Sequence, residues 1–192
     1  MLLNAKLLKR KFDEALTYET FVALGEPEGH RGKWDERYGQ LELSADQRAL
    51  VEAFARPIKV LCLTGNWCGD CALQGSAMQR VAEANPAMID LGFLPRAEVH
   101  GELIVESQIN AGFRVPVTWF MAEDFEPLSR IGDRTLSRYR AIARKALGPE
   151  SNVHAPPPQD PVRAVLQEVL DEFERTHLLL RLSPRFRQKY GD

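Results

Sequence analysis

Cysteine is scarce in this chain, with three in 192 residues, too few for a framework of disulfides. Ligands for a metal are scarce as well. The four histidines, His30, His100, His154 and His177, are scattered without ligand spacing, and only Cys68 and Cys71 stand close together. No metal or other cofactor is expected. Long apolar runs are missing too: none approaches the ~18 residues of a membrane span, so no membrane association is expected. A net charge of −2 offers no electrostatic case for nucleic acid. The opening MLLNAKLLKRKFDEAL mixes apolar and charged residues and lacks the uninterrupted core and small-residue cleavage site of a signal peptide. These absences point to a cytoplasmic protein, and a hydrophobic fraction of 44% with 27% charged residues is ordinary for a globular one.

What is present divides into four stretches. Residues 1–43 read as an N-terminal helical extension, with helical spacing over 4–24 (Leu8, Phe12, Ala15, Leu16) and a loop over 25–39. Residues 44–147 read as one domain. Ser44-Ala45-Asp46-Gln47 has the capping-box pattern of a helix reaching about Ala55, and Arg56-Pro57 ends it. Strands follow near 58–63, 88–93, 117–121 and 128–131, with helices over 71–85, within 97–110 and over 136–147. Residues 148–161 hold five prolines and read as a stiff connection. Residues 162–192 read as a helix and a basic, solvated tail. The helix carries an apolar stripe of Val162, Val165, Leu166, Val169, Leu170 and Phe173, which needs covering by its own core or by the mate in a homodimer.

The informative feature is Trp67-Cys68-Gly69-Asp70-Cys71 at the junction between the first strand and its helix. A cysteine at the opening of a helix faces unpaired N–H groups and the positive end of the helix dipole. Both favour a thiolate and lower the pKa from its free value of about 8.5. The pair reads as a redox dithiol. Downstream, Arg114-Val115-Pro116-Val117 places a proline at the mouth of a strand about 45 residues after Cys71.

The CxxC on a strand–loop–helix and the later Val-Pro together resemble the thioredoxin family. The Gly69-Asp70 between the cysteines is similar to a branch of thioredoxin-like bacterial proteins. The resemblance implies an α/β thioredoxin fold, a central mixed sheet flanked by helices, with helical extensions at both ends. It implies that Cys68 is the nucleophile and Cys71 the resolving thiol, and that Pro116 is a cis-proline. It also implies that Val115 offers backbone groups to an extended substrate and that Trp67 walls the groove. Arg114 would flank that groove and meet an acidic partner, or simply be a surface arginine.

Two departures from the family pattern matter. Thioredoxins carry Gly-Pro between the cysteines, whereas Asp70 here sets a charge near Cys68. At about 6 Å two such charges repel by roughly 0.7–3 kcal/mol, so Asp70 is expected to raise the Cys68 pKa and shift the couple toward a reductant. The second is Cys62, which stands where the family buries an aspartate six positions before the first cysteine. Cys62 is expected to pack as a small apolar residue, leaving the resolving thiol without its carboxylate, a role that Asp70 or a water would then have to take.

Three readings of function remain. One is a thiol–disulfide oxidoreductase acting on a protein or small-molecule disulfide and recharged by an unidentified reductant. Another is a scaffold that keeps the fold, and a third is a redox sensor.

Overall fold

The computed structural model describes residues 3–148 and 156–191. Four strands form one mixed sheet: β1 (Ile58–Thr64), β2 (Ile89–Pro95), β3 (Val117–Met121) and β4 (Pro127–Gly132). Their order is β2-β1-β3-β4, with β1 parallel to β2 and antiparallel to β3, and β3 antiparallel to β4. β1 (IKVLCLT) is central, and every residue except Lys59 is buried, which explains why it reads as a continuous apolar run.

The period-2 alternation of β1 feeds two cores. Val60 and Cys62 face one, and Leu61 and Leu63 the other. The first core is closed by α5 (Gly69–Ala84), α4 (Ala45–Glu52) and α8 (Pro161–Leu182). The second is closed by α1 (Ala5–Asp13) and α6 (Gly101–Glu106), through Leu7, Leu8 and Leu103. A single 3-10 turn, Glu98–His100, leads into α6. The chain therefore has the α/β thioredoxin fold with additional helices at its C-terminal end.

The first 43 residues differ from their sequence reading. The helical spacing over 4–24 is broken into α1 and α2 (Tyr18–Ala23). Between them Leu16 pairs with Phe93 through two backbone hydrogen bonds of 2.8 Å, capping the exposed edge of β2. The stretch expected to be a loop contains α3 (Arg31–Gln40). This helix escapes a periodicity search because RGKWDERYGQ is polar apart from Trp34 and Tyr38. Trp34 is its one fully buried residue, packed against Gly75 of α5, where an added Cβ would lie 2.5 Å from the indole ring.

At the C-terminal end only the tail differs from its reading. The apolar stripe of α8 is buried on the chain's own α5 and sheet, with Phe173 edge-on to Phe120 at 5.0 Å between centroids. The basic tail folds as α9 (Pro184–Tyr190), with Phe186 buried and the Arg56 guanidinium stacked over Tyr190 at 4.2 Å. Sequence alone showed the charges and not the two aromatic anchors between them. Of the proline-rich connection, residues 149–155, including His154, lie outside the described residues, and 156–160 have no regular secondary structure. His177 is a packed histidine: its Nε2 accepts from Ala55 N at 3.0 Å, and its ring stacks on Phe54.

Because α8 closes the core over α5, Phe173→Ala is expected to lower unfolding free energy by about 3–5 kcal/mol. Equilibrium urea denaturation checks this, and a loss under about 1 kcal/mol would mean that α8 is not docked as described.

Candidate active site

The end of β1 releases the chain into Gly65-Asn66-Trp67, and α5 begins immediately afterwards. Cys68 is the N-cap of α5 in extended conformation, and its sulfur accepts the Cys71 backbone N–H at 3.4 Å. The loop before it is held by α3. Trp34 Nε1 donates to Asn66 O at 2.9 Å and Lys33 Nζ to Trp67 O at 3.1 Å. The Trp67 indole folds back over Gly65, where a Cβ would lie 2.6 Å away, yet keeps 44% of its surface exposed. Neither α3 contact was readable from the sequence, because the residues stand more than thirty positions from their partners.

Cys68 is partly buried, Cys71 is completely buried, and both are unbridged. The Val115–Pro116 peptide is cis, and the Cys68 thiol lies 3.8 Å from Val115 O. The proline loop expected to border the cysteines therefore does border them. Gly132 of β4 packs behind it: a Cβ there would lie 2.4 Å from Pro116 O, and its φ of +142° disfavours any other residue.

The Asp70 charge acts on Cys68 in the expected direction, against the thiolate, and it is paired. Its carboxylate accepts from Arg134 Nε at 2.9 Å and from Arg138 Nε at 2.8 Å. Asp133 adds a second anchor: it is buried and accepts from Arg114 Nη1 and Arg134 Nη1, both at 3.1 Å, and from the Tyr139 hydroxyl. Arg114 flanks the proline loop as expected, already paired within its own chain. Burial alone would raise the Asp133 carboxyl, but the hydrogen bonds from Tyr139 and Arg114 hold it below the usual carboxylate range.

Cys68 is lowered to about 6. The hydrogen bond from the Cys71 thiol does most of this against partial burial, and the backbone N–H groups of Cys71 and Asp70 add to it. The Asp70 charge opposes the thiolate and is the weakest of these influences; the same carboxylate is paired with two guanidinium groups. Cys71 moves the other way: burial, and then the neighbouring Cys68 sulfur, push it well above its ordinary value. Cys62 is buried in the core as expected, and burial pushes its thiol up to about 12, so it is no base at neutral pH.

Gly69 and Asp70 also line a cleft of about 380 Å³ with Arg37, Leu73, Arg138, Pro161 and Val162. Sequence reasoning missed Lys33, Trp34, Asp133, Arg134, Arg138 and Tyr139, since nothing local links them to the CxxC. Among the described residues there is no cluster of three or more His, Cys, Asp or Glu able to hold a metal. None of the described helices is long and apolar enough to cross a membrane.

With a pKa of about 6, Cys68 is about nine-tenths thiolate at pH 7. Its alkylation rate by iodoacetamide, followed by mass, should climb as pH rises through about 6 and level off by about 8, while Cys71 stays unmodified. The double variant Arg134→Gln/Arg138→Gln leaves Asp70 uncompensated and should move that midpoint up by about 0.5–1 unit. An unmoved midpoint would show that the arginines do not screen Asp70.

Comparisons with known proteins bear on the family and the fold. A thioredoxin family model matches residues 15–144. A crystal structure of a protein of unknown function from Pseudomonas aeruginosa superposes with a TM-score of 0.64 at 18% identity, covering 92% of this chain and 97% of that one. An HIV epitope scaffold superposes with a TM-score of 0.58 at 19% identity, covering 86% and 96%. At these identities the two structures speak for the fold alone. No curated protein matches the sequence. From α2 to the last turn of α7 (Leu136–Leu147), then, this chain belongs to the thioredoxin family.

Proposed function

We propose that this protein is a thiol–disulfide oxidoreductase that reduces disulfides through Cys68 and Cys71. The observation that carries the reading is the asymmetry of the two thiols: one partly exposed and lowered to about 6, the other buried and raised. A scaffold has no use for that difference, and nucleophile and resolving thiol require it.

The Cys68 thiolate attacks one sulfur of the substrate disulfide. The other sulfur leaves as a thiolate and takes a proton from solvent. Val115, its carbonyl beside Cys68, supplies backbone groups to align the substrate, with Pro116 and Trp67 walling the groove. Once Cys68 is bound in the mixed disulfide its negative charge is gone, which removes one of the influences holding Cys71 up. Cys71 then loses its proton and attacks the Cys68 sulfur, releasing the second substrate thiolate. Two electrons pass to the substrate, whose two sulfurs take up the proton that Cys71 gives up and one from solvent, and a Cys68–Cys71 disulfide remains. An external thiol reductant must restore it. Three cysteines, two of them in the CxxC, fit a reducing compartment such as the cytoplasm.

Release is the weak step. Cys62 occupies the place of the family's buried carboxylate and cannot accept the Cys71 proton. The mixed disulfide should therefore persist long enough to be trapped by acid quench in the wild-type protein. Cys71→Ser should make it permanent, and Cys68→Ser should abolish it.

The reduction potential decides the direction of the chemistry. A thiolate pKa near 6, against ~7 for thioredoxin, stabilises the reduced form by up to roughly 30 mV before the discount for partial exposure. Equilibration against glutathione buffers should give about −270 to −230 mV. A value of −180 mV or above, on the order of known oxidants and isomerases, would reverse the assignment to a reductant. Failure to form any intramolecular disulfide would overturn the enzyme reading altogether.

A further inference from the structure

Beside the dithiol the surface changes character. The chain as a whole carries a net charge of −2, yet α7 (LSRYRAIARKAL) has four cations and no acidic residue. Its first turns hold the charge network next to the cysteines, through Arg138 on Asp70 and Tyr139 on Asp133. Arg138, Ile142 and Lys145 stand at i, i+4 and i+7, so they share one stripe, with Tyr139 beside it. Tyr139 and Ile142 are 40% and 39% exposed. The stripe starts at the redox site and runs away from it for roughly 10 Å, at about 1.5 Å of rise per residue.

Two of the guanidinium groups are built to receive an anion. Arg138 is fixed through its Nε alone and Arg114 through one Nη. Their other nitrogens make no hydrogen bond among the described residues, and Lys145 makes no ion pair there. A guanidinium held by one nitrogen keeps its remaining donors in a set plane, so a carboxylate finds a donor fork already oriented. Arg114 adjoins Val115, whose carbonyl lies beside Cys68, and Arg138 pairs with Asp70, two residues beyond Cys68.

We propose that the substrate is a protein disulfide flanked by acidic residues, whose chain passes the Val115 edge and lays its acidic side along Arg138, Ile142 and Lys145. The inference rests on the dithiol reading and names its substrate class. A protein segment suits the surface better than a small disulfide. The cations continue down α7 beyond the reach of one small molecule's carboxylates, and exposed apolar side chains are interleaved with them.

Disulfide-bridged peptides of one core sequence, flanked by three Glu, three Gln or three Lys on each side, test the proposal. Full-length reduced protein should reduce them in the order Glu, Gln, Lys. About tenfold in kcat/KM should separate the extremes at low salt, narrowing to about twofold at 0.5 M. Lys145→Glu should cut the Glu preference by about threefold. The same peptides with alanine for cysteine report binding without chemistry, by fluorescence anisotropy, and should keep the order. Equal turnover of all three peptides overturns this inference and leaves the dithiol reading standing. Ordered binding without reduction of any peptide does the reverse. Tighter binding to a 15-nucleotide RNA, or to vesicles of 30% phosphatidylserine in phosphatidylcholine, than to the Glu peptide would overturn the choice of partner.

Discussion

The hydrogen bond from the Cys71 N–H to the Cys68 sulfur, at 3.4 Å, is the contact on which the rest of the site depends. It makes Cys68 the N-cap of α5, so the same sulfur that ends an extended segment sits over the exposed N–H groups of a sixteen-residue helix. Everything around it keeps that geometry. β1 is buried on both faces and cannot slip, because a shift of one residue would exchange its two cores. Trp34 and Lys33 fasten the loop before the cysteine, and Val115 closes over it. A sulfur placed this way becomes a thiolate because the donors are already there.

An aspartate two residues beyond such a thiolate looks like a handicap, and its charge does act in the unfavourable direction. Arg134 and Arg138 answer it, and Arg134 extends the answer to Asp133, which in turn holds Arg114. The outcome is a chain of alternating charges running from the CxxC helix, along the start of α7, to the proline loop. It links three segments that meet only in the folded protein. A proline between the cysteines would offer no such link, so Asp70 is better understood as a fastening for α7 than as a tuner of the thiol.

How much of this was legible in the sequence depended on how far apart the interacting residues lie. The strand over 117–121, the helix over 136–147, the CxxC at a strand–helix junction and the Val-Pro loop all rest on local pattern, and each stands where it was expected. α3 was missed because its only fully buried apolar residue is Trp34, so no periodicity exists to be read. α9 was missed because its cations, Arg185, Arg187 and Lys189, outnumber the Phe186 that seats it. The sign of the Asp70 effect was legible from charge alone. Its size was not, because screening by Arg134 and Arg138 spans more than sixty positions.

Replacing a buried carboxylate by Cys62 changes what the site does well. A thiol pushed up to about 12 neither charges the core nor takes a proton, so β1 is spared a buried ion and the resolving thiol loses its base. Attack by Cys68 does not suffer, since its thiolate owes nothing to Cys62. Under the proposed oxidoreductase mechanism only the second step would slow. A site quick to form a mixed disulfide and slow to release it favours partners that bind long enough to be resolved. A cationic, partly apolar helix beside the nucleophile is the kind of surface that lengthens such an encounter, which ties the missing carboxylate to the charge pattern of α7.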